Sequence, residues 1–299
     1  MKPTLSIGIP AYNEEANIRL LLNAIIAQKQ NNYILGEIIV ISDGSTDKTA
    51  LAAKSIQNYL IKVIDHKTNK GMTYRQNEFF KSAKGDIFVL LDADILPKDE
   101  YFLENLTAPI IIDRNAGMTS CKRIPLKSKT FIEKIINYGA LMQNQIIIDS
   151  SVNNMYMCKG TSRAFSKRFA DKLKWPEIPF AEDIYAYLFC KDIGFNFIDV
   201  DETYVFYRTP QNLKDHLRQS LRFKQSQEVM YNYFPKAFVD KNYKIPKSIL
   251  FKNTFIYFIK NPIFFILYIF IYIISVFVSL TTNKTIKWTP AQSSKVLVK

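Results

Sequence analysis

The stretch Lys84-Gly85-Asp86-Ile87-Phe88-Val89-Leu90-Leu91-Asp92-Ala93-Asp94 decides how the chain is read. The unbroken apolar run Ile87–Leu91 suits a strand covered on both faces, and it ends abruptly in two carboxylates one residue apart. In an open α/β sheet, ligands gather outside the carboxyl ends of the strands, which is where Asp92 and Asp94 fall. Two hard oxygen donors this close repel each other unless a cation, commonly Mg²⁺ or Mn²⁺, neutralises them, and such ions keep positions open for water and substrate phosphates. The stretch therefore reads as a candidate metal–diphosphate site. The plainer reading, that the acidic residues cap the next helix, stands beside it until the rest of the chain is weighed.

Working outward, short apolar runs alternate with helical patterns over the first 110 residues, which predicts βαβ units and a mainly parallel sheet. Strands are expected at 5–9, 37–41, 61–64 and 87–91, and helices at 14–28, 48–59 and 72–83; the first helix shows Ile18, Leu21, Leu22, Ile25 and Ile26 at helical spacing. Beyond residue 116 the pattern is less regular. Strands are expected at 117–121 and 155–159, helices at 129–148 and 181–193, an extended segment at 195–207, and a long basic helix at 212–233.

The bulk composition narrows the function classes. Nearly half the residues are hydrophobic (48%), which excludes a disordered chain. The net charge of +13 suits nucleotide diphosphates, anionic lipid headgroups or nucleic acid. With only His66 and His216, a His-based zinc site or a Ser-His-Asp hydrolase has little to work with. Cys121, Cys158 and Cys190 are odd in number and follow no metal-ligand spacing, so they read as reduced packing thiols. No signal-peptide pattern precedes the first strand, so the start of the chain is expected to stay in the cytoplasm. Residues 263–280 carry no charge; as a helix they would be about 27 Å long, against about 30 Å of bilayer hydrocarbon. Membrane attachment follows, either as one span or as a re-entrant or interfacial hairpin covering 249–280. The expected division is a catalytic domain over 1–235 and a membrane-associated segment over 236–299.

In chain order the strand-end loops hold Pro10-Ala11-Tyr12-Asn13-Glu14, then Ser42-Asp43-Gly44-Ser45-Thr46-Asp47, then Asp92-Ala93-Asp94; the third helix carries Arg75 and Asn77. This ordered set resembles the family 2 glycosyltransferases, inverting nucleotide-sugar enzymes with a GT-A fold, over about residues 6–223. The family opens on a strand followed by Pro-x-Tyr-Asn-Glu, and a second strand ends in Asp-Gly-Ser-x-Asp-x-Thr, as at 43–49. The resemblance implies a donor nucleotide pocket drawing on Pro10, Ala11, Tyr12, Glu14, Asp43, Arg75, Asp92 and Ala93. In it Tyr12 offers its ring to a base, Asp43 accepts from a uracil or guanine N–H, and Arg75 meets phosphate. Asp94 is the implied direct ligand of Mg²⁺ or Mn²⁺, and Asp92 contacts ribose or the ion's water shell. Asp47 is read as turn and capping chemistry.

Inverting transfer needs a base opposite the departing diphosphate. The Glu182-Asp183 pair opens a helix after the loop Trp175-Pro176-Glu177-Ile178-Pro179-Phe180, and the helix N-terminus would hold a carboxylate ionised. It resembles the family's Glu-Asp motif, whose Asp, here Asp183, is the implied base. Residues 155–160 resemble the family's acceptor-contacting strand, with Gly160 letting backbone approach. Gln219-Ser220-Leu221-Arg222-Phe223 resembles the Gln-x-x-Arg-Trp motif of processive synthases, which implies a diphosphate contact for Gln219 and Arg222. This chain has Phe223 where that motif has Trp. Lys214, Arg218, Arg222 and Lys224 suit anionic headgroups equally well.

The expected protein is a membrane-attached transferase whose catalytic domain faces the cytoplasm. It passes a sugar from a nucleotide-diphosphate sugar to a glycan or lipid-linked acceptor, in cell-envelope polysaccharide or glycolipid synthesis. A nucleotidyltransferase would present a Gly-rich basic loop after the first strand, which is missing. A non-catalytic scaffold would have little need of Asp43, Asp92, Asp94 and Asp183 together. Nucleic acid is suggested by charge alone and is not an expected partner. One apolar segment is little material for the pore a processive synthase needs, so single transfer is favoured.

Overall fold

Parallel strands need crossover connections, and the first third of the chain supplies them. In this computed structural model, which describes residues 1–150, 154–178, 180–281 and 292–297, that third runs β1 (Thr4–Ala11), α1 (Ile18–Ile26), β2 (Ile34–Asp43), α2 (Thr49–Lys54), β3 (Ile61–His66), α3 (Met72–Ser82) and β4 (Ile87–Leu91). A second group follows: β5 (Ile95–Pro97), α4 (Phe102–Ile112), β6 (Ala116–Pro125), α5 (Phe131–Asp149), β7 (Ser162–Ser166), α6 (Lys167–Ala170), α7 (Glu182–Asp192) and β8 (Asn196–Tyr207). The rest is helical: α8 (Leu213–Met230), α9 (Lys236–Tyr243), α10 (Lys247–Lys260) and α11 (Pro262–Thr281).

All eight strands join one mixed sheet in the order β3-β2-β1-β4-β7-β6-β8-β5. The expected parallel arrangement holds for β1 through β4. The second half alternates: β7 runs antiparallel to β4 and β6, β8 parallel to β6, and β5 antiparallel to β8. Every residue of β4 is buried, as its apolar run requires. One apolar cluster, with Leu21 and Leu22 of α1 and Phe102 of α4, fills one side of the sheet. The other side is aromatic, built from Phe79, Phe88, Phe165, Phe169 and Trp175, and takes in Val239 of α9.

Three expected elements are corrected. The helix expected from residue 14 starts at Ile18, because residues 14–17 form a turn in which the Asn17 N–H donates to the Glu14 carbonyl (3.0 Å). The helix expected at 48–59 is only Thr49–Lys54. The strand expected at 155–159 is instead a single 3₁₀ turn, Met155–Met157, begun by Asn154 accepting from the Tyr156 N–H at 3.0 Å. The sheet strand follows it as β7, whose sequence Ser-Arg-Ala-Phe-Ser hid it behind polar residues.

Candidate functional site

The carboxyl ends of β1, β2 and β4 lie side by side, so their loops converge. Pro10, Ala11, Tyr12, Glu14, Asp43 and Arg75 line a pocket that has Asp92, Ala93 and Asp94, at the end of β4, as its floor; Glu182, Gln219 and Arg222 line it too. Twelve of the fourteen residues singled out from sequence therefore meet in one cavity. The other two, Gly160 and Asp183, meet each other: a β-carbon built on Gly160 would lie 3.1 Å from Asp183 Oδ2.

The loop geometry follows from local chemistry. Asn13, at φ 55°, uses Oδ1 to accept from the Thr46 N–H (2.7 Å) and so joins the first two loops. Gly44 has φ +69°, and a side chain there would strike the Asn69 backbone at 2.6 Å, so only glycine fits. Asp47 accepts from the Thr49 N–H (2.9 Å) and the Glu15 N–H (3.1 Å), which is turn and capping duty.

Asp43 is held by three donors. Its Oδ1 accepts from Arg75 Nε (2.6 Å) and the Lys70 N–H (2.9 Å), and its Oδ2 from the Gly71 N–H (2.8 Å). Arg75, 1% exposed, also donates to Glu78 (2.9 Å) and to the Thr68 carbonyl (2.9 Å). Three of the five guanidinium N–H groups are thus committed to shaping the pocket, one on each nitrogen, and Nη1 and Nη2 each keep a second N–H.

Acid crowds the pocket floor. Burial, and then the neighbouring Asp94, hold the Asp92 carboxyl well above the usual range. Burial raises Asp94 as well, against the pull of Lys295 and Arg123. Glu14 is pushed up to about 7 by burial and Asp94, and Glu182 is raised by burial and Asp183. Like charges in a poorly hydrated space raise one another's pKa in this way, and a hard divalent ion would relieve the repulsion. The donor set fits one: two carboxylates suit Mg²⁺ or Mn²⁺, which take oxygen ligands and leave room for phosphate. No group of three or more His, Cys, Asp or Glu side chains able to hold a metal occurs among the described residues, so Asp92 and Asp94 would share the ion with substrate oxygens and water.

Glu182 and Asp183 begin α7 as its first two residues. Their peptide is held by Trp175, whose indole N–H donates to the Glu182 carbonyl (2.8 Å). Trp175 is in turn tied to Asn77 of α3 by two hydrogen bonds of 2.8 and 3.0 Å. Asn77 and the loop before α7 thus act as one unit. On α8, Gln219 and Arg222 face the pocket, while Phe223 is exposed with the Arg123 guanidinium 5.9 Å from its ring. Lys224 turns away to α11, donating to Ser275 Oγ at 3.2 Å.

Sequence reasoning missed two cations here. Arg163 of β7 is fully buried; its Nη2 is 4.0 Å from Glu182, and its Nε and Nη1 have no hydrogen-bond partner among the described residues. It supplies countercharge to Asp92 and Glu182. The only signal was an arginine inside a strand-length run. Lys295 comes from beyond α11. Its ammonium donates to the Tyr12 carbonyl, the Asn13 carbonyl (2.8 Å) and Glu14 Oε1 (2.9 Å). Its segment is anchored by Ser293 donating to Asp215 (2.7 Å) and by Arg208 donating to the Leu297 carbonyl (2.8 Å). Nothing in the sequence pattern links residue 295 to residues 12–14.

Known proteins resemble this chain in sequence and in fold. A dolichol-phosphate mannosyltransferase of Pyrococcus furiosus is 32% identical over 152 residues, 48% of this chain and 41% of that one. A probable glycosyltransferase, YdaM, of Bacillus subtilis is 25% identical over 272 residues, 88% of this chain and 63% of that one. The matches thus span less than two thirds of either relative. Among solved structures, the mannosyltransferase PcManGT from Pyrobaculum calidifontis, in complex with GDP-Man and Mn²⁺, superposes with a TM-score of 0.61 over 95% of this chain and 77% of that one, at 18% identity. That likeness establishes a GT-A-like α/β fold. The model of Glycosyl transferase family 2 matches residues 6–174, which include the three strand-end loops and the Asp92–Asp94 floor, and the chain belongs to that family.

Proposed function

We propose that the chain is a metal-dependent inverting glycosyltransferase that moves a sugar from a nucleotide-diphosphate sugar to a hydroxyl or a lipid-linked acceptor at a membrane surface, within cell-envelope polysaccharide or glycolipid synthesis. One observation carries this reading: acidic and basic groups from seven separate segments line a single pocket at the carboxyl edge of the sheet. The relative named as a dolichol-phosphate mannosyltransferase supports a lipid phosphate acceptor, and PcManGT with GDP-Man and Mn²⁺ supports a metal-assisted nucleotide donor.

In this reading Pro10–Tyr12 and Asp43 take the nucleoside, with Arg75 as a positioning residue that orients Asp43. Asp92 and Asp94 hold the divalent ion, which when bound neutralises charge on the departing diphosphate. Gln219 and Arg222 face the diphosphate. Asp183 takes the proton of an acceptor hydroxyl as its oxygen attacks the anomeric carbon, and the bond to the diphosphate breaks on the opposite face. The first turn of α7 favours the ionised carboxylate that this step needs. A lipid phosphate is already ionised and has no proton to give up. The apolar helix α11 attaches the enzyme to the membrane. The catalytic domain is read as cytoplasmic, a placement supported by three buried free cysteines.

The test is a thermal-shift panel of UDP-, GDP-, CDP- and dTDP-sugars with Mn²⁺ on detergent-solubilised protein. A metal-dependent rise in Tm with one nucleotide class is expected, because a ligand that binds only the native state stabilises it. No shift with any of them, in folded protein, would overturn the transferase reading.

A further inference from the structure

We propose that α10 and α11 form a hairpin lying in the plane of one leaflet, so that the protein is monotopic and does not span the bilayer; this rests on the membrane attachment proposed above. Three observations carry it. First, α11 is pinned along its length to the catalytic domain. The Tyr268 ring packs on Gly139 of α5, where any side chain would strike it, Gln143 of α5 donates to the Tyr268 hydroxyl (2.6 Å), and Lys224 of α8 donates to Ser275 (3.2 Å). The inner face of α11, with Tyr268, Ile271 and Ser275 buried, packs on Ile135, Met142 and Ile146 of α5 and not on lipid.

Second, both ends of the hairpin lie on the catalytic side. The chain enters α10 directly from α9, which packs into the aromatic core. Beyond α11, Ser293 and Lys295 are bonded to Asp215 and Glu14. Were α11 to cross the bilayer, the ten residues 282–291, with Lys284 and Lys287 among them, would have to recross it. A helical return needs about 20 apolar residues, and irregular backbone is not tolerated facing lipid. The 14-residue α10, about 21 Å long, is too short for the second leg and carries Lys252 in its middle.

Third, the outward face fits a phospholipid leaflet. Phe251 and Phe255 of α10 and Ile263, Phe270 and Phe277 of α11 are all more than half exposed. Lysines border them, with Lys134 and Lys260 seated 5.0 and 4.8 Å from the rings of Phe264 and Tyr257. Lysine stems over aromatic rings with ammonium groups at the edge match an interface of acyl chains and anionic headgroups. Because α8 carries both Arg222, which lines the pocket, and Lys224, which bonds to α11, the pocket and the hairpin are joined through one helix.

The test places a nitroxide label at Ile263→Cys, Phe270→Cys or Phe277→Cys of the full chain, one at a time; the native cysteines are buried. On vesicles of equal phosphatidylcholine and phosphatidylglycerol, depth is read from collision with oxygen against a water-soluble nickel chelate. Expected are three similar depths, about 5–10 Å below the headgroups. A spanning helix or a hairpin inserted tip first gives a steady change approaching about 21 Å from 263 to 277, and that gradient overturns the in-plane hairpin while leaving attachment standing. Labels that all stay accessible to the nickel chelate overturn attachment itself.

Discussion

Gly160→Ala isolates the proposed base without touching the donor. The new β-carbon would lie 3.1 Å from Asp183 Oδ2 and 3.5 Å from Asp183 Cβ and Cγ. The backbone at 160 is not in the left-handed region, so the change acts through contact alone. Ordinary carbon–oxygen contact asks for a few tenths of an ångström more, and the carboxylate must move by that much. Misplacing a reacting group by about 1 Å costs roughly 100-fold in rate, so a shift of a third to a half of that predicts a loss of about fivefold to tenfold. Single-turnover transfer to a hydroxyl acceptor should slow by this factor. The donor Kd should stay unchanged, because no donor-pocket residue moves. With a lipid phosphate acceptor the rate should hold, since no proton is removed there. An unchanged hydroxyl-transfer rate, or a donor Kd that rises as much as the rate falls, would refute the pairing of Gly160 with a catalytic Asp183.

Three other substitutions separate structural from chemical roles. Arg75→Met leaves the buried Asp43 with two backbone donors and no countercharge, an expected loss of about 3 kcal/mol and roughly 6–12 °C in Tm; a loss below about 1 kcal/mol would show that the pair is not what holds the pocket. Asp94→Asn removes a repulsive charge beside Asp92 and Glu14, so the metal-free protein should gain about 1 kcal/mol, in line with the stability cost of active sites, while Mn²⁺-dependent turnover falls at least 100-fold. Full activity would remove Asp94 from the metal site. Lys295→Met deletes charged hydrogen bonds worth about 1.5–3 kcal/mol each at most. Hydrogen exchange at Ser293 and Leu297 should rise at least tenfold with little change in β1 or β4, and a uniform rise would instead mean global destabilisation.

The fold was legible where one residue pattern determined one environment. The unbroken apolar run of β4 could only be a strand covered on both sides, and the Asp-Gly-Ser loop could only be a turn, so the parallel half of the sheet and its three loops were readable in order. β7 was not, because its Ser162, Arg163 and Ser166 are buried by partners on neighbouring strands rather than by their own polarity. The turn at Met155–Met157 looked like a strand because its apolar residues point into the aromatic core, and periodicity cannot tell a buried turn from a buried strand over so few residues. The Glu14 turn was misread for a related reason: the side chain that would begin a helix is held in the pocket by Asn17 and Lys295.

What the local pattern could not convey is the charge balance of the pocket. Sequence spacing showed its acids, since these sit at strand ends where a motif can be read. The balancing cations come from a central strand and from a segment about 280 residues away along the chain from the loop it meets. With Lys295 the counterion of Glu14 and Arg163 that of Glu182, the metal-free site is already partly neutralised by the protein itself. An incoming divalent ion then adds charge where Asp92 and Asp94 remain in excess, and it need not compensate the whole acidic cluster. The same segment that carries Lys295 is tethered by α11, so the proposed membrane hairpin and the proposed donor site share one stretch of chain. Loss of the hairpin's seating on α5 and α8 should therefore be felt first at Glu14, before the sheet itself is disturbed.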